Sequence, residues 1–130
     1  MTIHEMLHQV ALLTGGEYSR SGEVSSIQIN LPSGRTQRIY ARIQRFAGED
    51  MGLLFTEVGA IGGGTDLTYL LELNATLRYS KVTLVDRQDV VLLAVFDLPN
   101  TSVRECAPML QELASVADEL ERMLLGSDTH

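Results

Sequence analysis

The residues His4 to His8 read HEMLH, the H-E-x-x-H spacing that places two zinc ligands and a general base on one helix in metalloproteases. A catalytic zinc also needs a third protein ligand and an open coordination position. The remaining histidine is His130, close to the end of the sequence, and Glu17 and Glu23 follow a Gly-Gly pair that ends the helix. On the helical wheel both histidines of the motif lie away from the apolar stripe, so we expect them to face water. No metal site is predicted, and a zinc hydrolase is kept as a distant alternative.

Two other features could bind an anion or act as a nucleophile. GGGTD, residues 62–66, resembles a phosphate-binding turn at a helix start, but it lacks a lysine and Asp66 carries the wrong charge. Cys106 lies on the apolar stripe of a predicted helix and has no histidine nearby in sequence, which favours a packed thiol. With no paired catalytic signature present, we predict no catalytic residue, no cofactor and no enzymatic activity.

A cluster of arginines is the strongest indication of a binding surface. Arg38, Tyr40 and Arg42 alternate with apolar residues, so they share one face of a predicted strand. These three residues are predicted to contact an acidic or extended protein segment. The alternatives are an edge strand protected from aggregation by its charges and, more weakly, an RNA-binding strand.

The elements that would position these residues follow from periodicity and capping motifs. Capping boxes at Thr2–Glu5 and Ser102–Glu105 begin the first and last helices, and Pro108 must kink or restart the last one. Predicted strands cover residues 26–31, 35–46, 51–60, 81–85 and 90–98, with a middle helix from residue 65 or 66 to about 79. The order α-βββ-α-ββ-α predicts an α+β fold with an antiparallel five-stranded sheet packed with helices.

The middle helix is predicted to have more apolar surface than one sheet can cover. If it is helical throughout, its leucines and Tyr69 occupy roughly half of the circumference. That width favours a symmetric partner over a helix enclosed within one subunit. The predicted interface of a homodimer comprises Leu67, Tyr69, Leu70, Leu73 and Leu77.

Composition restricts the partners and the compartment. The 130 residues fit one domain, 1–130, with residues 126–130 as a frayed tail. A net charge of −7 argues against a nucleic-acid or membrane surface, since both partners are anionic. The single cysteine makes the cytoplasm the default location, and the longest apolar run, 90–96, is too short to span a bilayer.

The element order and the C-terminal half, from YLLELNATLRYS through VVLLAVFDLPN to LQELASVADELERML, resemble the small acidic type III secretion chaperones, including the Tir chaperone class, and the related YbjN-like proteins. In this resemblance residues 69–79 correspond to the dimer helix, 82–98 to the final hairpin and 110–125 to the closing helix. The resemblance implies a homodimer that holds an unfolded segment of a client protein without catalysis. A YbjN-like regulator or adaptor is the alternative.

Overall fold

The computed structural model describes residues 1–126 as one layer of strands with helices packed against it. In chain order the elements are α1 (Ile3–Thr14), β1 (Glu17–Ser21), β2 (Val24–Asn30), β3 (Thr36–Phe46), β4 (Glu49–Ala60), α2 (Leu67–Leu73), β5 (Lys81–Val85), β6 (Asp89–Phe96), a 3-10 turn (Leu98–Asn100) and α3 (Val103–Gly126). The sheet order is β1-β2-β3-β4-β6-β5, and all neighbouring strands are antiparallel. No helix in this part of the chain has the length and hydropathy needed to cross a membrane.

The α+β class is confirmed, but the sheet has six strands and the prediction of five is wrong. The additional strand, β1, has the sequence EYSRS and lacks alternating apolar residues. It forms because it pairs with β2 across a tight turn in which Gly22 adopts a φ of 62°. Edge strands expose most of their side chains, so hydrophobic periodicity is a weak signal for them.

The arginine-bearing strand β3 lies between β2 and β4, so the interpretation of that region as a charged edge strand is wrong. The edges are β1 and β5 instead. The last strand was predicted to be interior because it is apolar on both faces, and β6 does lie between β4 and β5.

We call the sheet face that carries Ile39, Leu54 and Leu92 the inner face, because these side chains are fully buried beneath α1 and α3. Directly paired residues of antiparallel strands point to the same side, which extends this assignment along the register. The core stripe predicted for α3 is confirmed from Cys106 to Leu120, whose members there are at most 1% exposed. The α3 helix runs through Pro108 without restarting.

The predicted capping box is complete at Ser102–Glu105 and half formed at Thr2–Glu5, where the Glu5 carboxylate accepts the Thr2 hydroxyl and not the Thr2 N–H. The hydroxyl of Thr2 accepts a hydrogen bond from the Glu5 N–H at 3.1 Å. Ser102 and Glu105 bond each other reciprocally, with both distances 3.1 Å. These contacts satisfy main-chain donors that a helix start leaves unpaired. The starts of α1 and α3 can therefore be recognised in the sequence.

The prediction that the middle helix extends to about residue 79 is wrong, because α2 ends at Leu73. The next residue, Asn74, uses its side chain to bond the main chain of Val82, with its Oδ1 2.6 Å from that N–H. Further along, the carboxylate of Glu112 accepts the N–H groups of Arg78, Tyr79 and Ser80 at 2.8–2.9 Å. These long-range hydrogen bonds hold the segment in turns, although its apolar spacing predicted a helix.

The predicted tail begins at Gly126, which is the last residue of α3. The other four residues of that prediction lie outside the described part of the chain.

Candidate functional site

Arg38, Tyr40 and Arg42 lie together on the outer face, the sheet surface opposite α1 and α3. Tyr40 is paired in register with Phe55 of β4, and the two rings stack with centroids 5.5 Å apart. The guanidinium carbon of Arg42 lies 5.6 Å from the centroid of the Phe55 ring. We call these four side chains the arginine-aromatic surface.

The two arginines of this surface are held by neutral partners. Arg38 donates to the Ser26 hydroxyl at 3.0 Å and to the Gln28 side-chain oxygen at 2.8 Å. Arg42 donates to the side-chain oxygen of Gln44. Both cations are thereby oriented without neutralisation, and they can still attract a carboxylate on a partner.

Phe55 was missed by the sequence analysis, although a signal for it exists. The turn between β3 and β4 is the two-residue turn Ala47–Gly48, in which both residues have positive φ. Counting equal steps outward from such a turn pairs Tyr40 with Phe55. The turn chemistry could therefore have placed the second ring beside the first.

The sheet is split beside this surface. Main-chain pairing between β3 and β4 covers Tyr40–Phe46 and Glu49–Phe55. Beyond it, residues 36–39 continue to pair with β2, while residues 56–60 continue with β6 through a bulge between Glu57 and Gly59. At the start of the split, the hydroxyl of Thr56 donates to the Arg38 carbonyl at 2.9 Å and replaces a ladder hydrogen bond.

A cavity of about 650 Å³ occupies the split, and we call it the sheet slot. Its outer rim is formed by the side chains of Arg38, Tyr40, Phe55 and Glu57. On the inner side it is closed by Gln37 and by Glu121 of α3, joined by a 2.9 Å hydrogen bond. This slot could not be predicted from the sequence, because its position depends on where β3 and β4 stop pairing.

The predicted interface residues divide into two groups. Leu67 and Tyr69 are 47% and 40% exposed, whereas Leu70 is 6% exposed. Leu73 and Leu77 are half-buried and pack against the core of their own subunit. Leu71 is 71% exposed and was not assigned to the predicted interface.

The exposed leucines border a second, apolar depression between α2 and the edge strand β5. The cavity has a volume of about 140 Å³ and is lined by Leu67, Leu70, Leu71, Val82 and Leu84, among others. Leu84 is 45% exposed and its neighbour Val85 is 43% exposed. We call this region the α2–β5 surface; it is apolar, and it adjoins an unpaired strand edge.

The residues of the HEMLH motif contact the first hairpin. His4 is half-buried and its Nδ1 hydrogen bonds to Ser25, so the expectation that it faces water is wrong. His8 is exposed and stacks on Tyr18 with ring centroids 4.7 Å apart. Within residues 1–126 the structure contains no group of three metal-ligating side chains, and His130 lies outside that range.

Cys106 is fully buried. Burial raises the pKa of its thiol to about 12. A thiol in that environment stays protonated at neutral pH and is a poor nucleophile.

No family model matches the sequence, and a search of curated proteins finds no match either. Among solved structures, the chain is similar to the Yersinia pestis type III secretion chaperone SycH, in its complex with a stable fragment of YscM2. The TM-score is 0.60 at 17% sequence identity, with 90% of this chain and 95% of that chain covered. The chain therefore has the α+β fold of a type III secretion chaperone, with three helices and a six-stranded antiparallel sheet.

Proposed function

We propose that this protein is a non-catalytic cytoplasmic chaperone that holds an extended segment of a client protein on its arginine-aromatic surface. The observation that carries the proposal is the arrangement of Tyr40, Phe55 and two uncompensated arginines on an open sheet face. The fold supports it, because the similar chaperone SycH is described in complex with a fragment of another protein.

The physical requirements of such binding match this surface. Stacked aromatic rings offer apolar area with little conformational entropy to lose, and arginines beside them recognise carboxylates. Because Arg38 and Arg42 are already oriented by neutral hydrogen bonds, a client carboxylate meets prearranged donors. Holding a segment requires no bond to be made or broken, so no catalytic group is needed.

The test is capture of the client from a native lysate by the tagged protein, compared with a Tyr40→Ala/Arg42→Ala double variant. Loss of two central contacts should reduce the captured client by about ten-fold or more. Arg104→Ala is the matched control, because Arg104 is an exposed arginine on α3, away from this surface. Circular dichroism should show that all three proteins are folded.

Equal capture by the double variant and the wild type would contradict the assignment of this surface. The identity of the captured protein decides between the two functional alternatives. An exported substrate supports the type III chaperone, whereas a housekeeping partner supports the YbjN-like adaptor.

We further propose that the functional unit is a homodimer formed through the α2–β5 surface. The exposed leucines Leu67, Leu71 and Leu84 lie beside an apolar depression, so a two-fold axis would let each copy fill the depression of the other. Three residues of the interface predicted from sequence would then lie beneath this surface and support it: Leu70, Leu73 and Leu77. Tyr69 remains at its margin.

This proposal predicts that Leu71→Glu converts a dimer into a monomer, because a buried interface cannot accommodate an unpaired carboxylate. Light scattering should give twice the chain mass of 14.3 kDa for the wild type and the single mass for the variant. Leu12→Glu on α1 is the matched control, since Leu12 is 76% exposed, close to the 71% of Leu71. A wild-type monomer, or a dimer that survives Leu71→Glu, would disprove this interface.

A further inference from the structure

The sheet slot is lined by residues from both faces of the sheet and is large enough to admit a long side chain. Its outer rim belongs to residues of the outer face, whereas Gln37 and Glu121 close it on the inner side. It therefore crosses the thickness of the sheet beside the arginine-aromatic surface. An unbranched side chain entering from that surface would pass the Tyr40–Phe55 ring pair before its end reached the floor.

The charges around the slot favour a cationic end group. At the rim, Arg38 is directed towards β2 by its hydrogen bonds to Ser26 and Gln28, away from the β4 side. On that β4 side lies the exposed carboxylate of Glu57, for which no hydrogen bond or ion pair with another side chain of residues 1–126 is seen. An incoming cation therefore meets a carboxylate at the entrance.

At the floor, Glu121 makes no direct ion pair among residues 1–126, although Arg35 lies close enough to interact with its charge. Arg35 and Arg122 both direct their guanidinium groups to Asp118, at 2.6 and 3.9 Å. The Glu121 carboxylate instead accepts the Gln37 amide at one oxygen, Oε2. Its second oxygen can accept a further donor from a ligand in the slot.

We propose that the sheet slot binds one arginine side chain of the client segment. The inference rests on the proposed function, because it assigns a recognition element to a segment lying on the arginine-aromatic surface. The aliphatic stem packs along Tyr40 and Phe55, while the guanidinium N–H groups beyond the rings donate to Glu57 and Glu121. Acidic residues of the client would then bind to Arg38 and Arg42, and one basic residue of the client would bind in the slot.

The test uses a single capped amino acid, so it does not require the client. Amide chemical shifts of the isotope-labelled protein are followed by NMR during titration with N-acetyl-arginine amide. The comparison ligands are N-acetyl-citrulline amide, which has nearly the same shape without the charge, and N-acetyl-glutamate amide. Arginine should bind in the millimolar range and shift the Thr56 and Glu57 amides and the Gln37 side-chain amide.

Citrulline should bind about ten-fold more weakly, as expected when charge-assisted hydrogen bonds are lost. Glu57→Gln/Glu121→Gln should weaken arginine binding to a similar extent, since both substitutions keep the side-chain size. The matched control is Glu119→Gln, which removes an exposed carboxylate elsewhere on α3. This control should leave arginine binding unchanged.

Equal binding of arginine and citrulline, preferential binding of glutamate, or no shift at the slot with any ligand would each overturn the proposal. These failures are distinguishable from failure of the proposed function. Client capture that depends on Tyr40 and Arg42 would still stand if arginine and citrulline titrated identically.

Discussion

The two faces of the sheet use the same strands for different purposes. On the inner face, Leu54 and Ile39 are fully buried under helices. Their neighbours in sequence, Phe55 and Tyr40, point the other way and are half-exposed. Because side chains alternate along a strand, one residue can contribute to stability while the next serves the recognition that we propose. Whether an apolar residue of these strands belongs to the core therefore depends on the sheet face to which its side chain points.

The largest difference between the two faces is expected when two consecutive residues, one from each face, are truncated to alanine. Leu54→Ala should lower the free energy of unfolding by about 2–5 kcal/mol, because it leaves a cavity in a packed core. Phe55→Ala should cost about 1–2 kcal/mol, since that ring is partly exposed and mainly loses its stack with Tyr40. Urea denaturation of both variants measures the difference.

Client capture should respond in the opposite order. Phe55→Ala should reduce capture although the variant remains folded, and Leu54→Ala should reduce it only in proportion to the unfolded fraction. Equal stability losses for the two variants would mean that the outer face is not an open surface.

The polar groups of the two faces differ as well. On the outer face, Arg38 and Arg42 bond neutral side chains. Among the helices, Glu112 of α3 accepts three main-chain N–H groups and the Ser80 hydroxyl, the last at 2.7 Å. It fixes the connection between α2 and β5, whose position the proposed dimer requires. The polar group of Glu112 therefore stabilises the fold, whereas the arginines of the outer face remain available to bind a partner.

A smaller effect is expected from Glu112→Gln, about 1–2 kcal/mol at pH 7, because the amide offers one acceptor oxygen in place of two. Burial raises the pKa of Glu112, but its hydrogen bonds from Ser80, Tyr79 and Arg78 outweigh burial and lower it below its usual value. The stabilisation is therefore complete above the unfolded pKa of about 4.3 and is lost as the pH falls through the folded pKa.

The measurement is the difference in unfolding free energy between wild type and Glu112→Gln at pH 7 and in acid. The difference should shrink on acidification. A difference that stays constant across that range would show that the Glu112 charge does not hold the connection.

Much of the architecture was predictable because its signals are local. The capping hydroxyls of Thr2 and Ser102 satisfy unpaired N–H groups within one helical turn, and both helix starts are confirmed. Strand β1 and the end of α2 were predicted wrongly, because pairing with β2 and the side chain of Asn74 decide them. The shared face of Arg38, Tyr40 and Arg42 could be predicted from the alternation of side chains along one strand. The position of Phe55 beside them could be predicted only from the pairing register of β3 with β4.

The α+β class, the face shared by Arg38, Tyr40 and Arg42, and the core stripe of the last helix could all be derived from the sequence. These features depend on the periods of two residues in strands and 3.6 residues in helices, which can be recognised within a short stretch of sequence. Only the tertiary structure decided which leucines near α2 are exposed and where β3 and β4 separate to open the slot. Both outcomes depend on contacts between residues far apart in sequence, such as Asn74 with Val82 and Gln37 with Glu121.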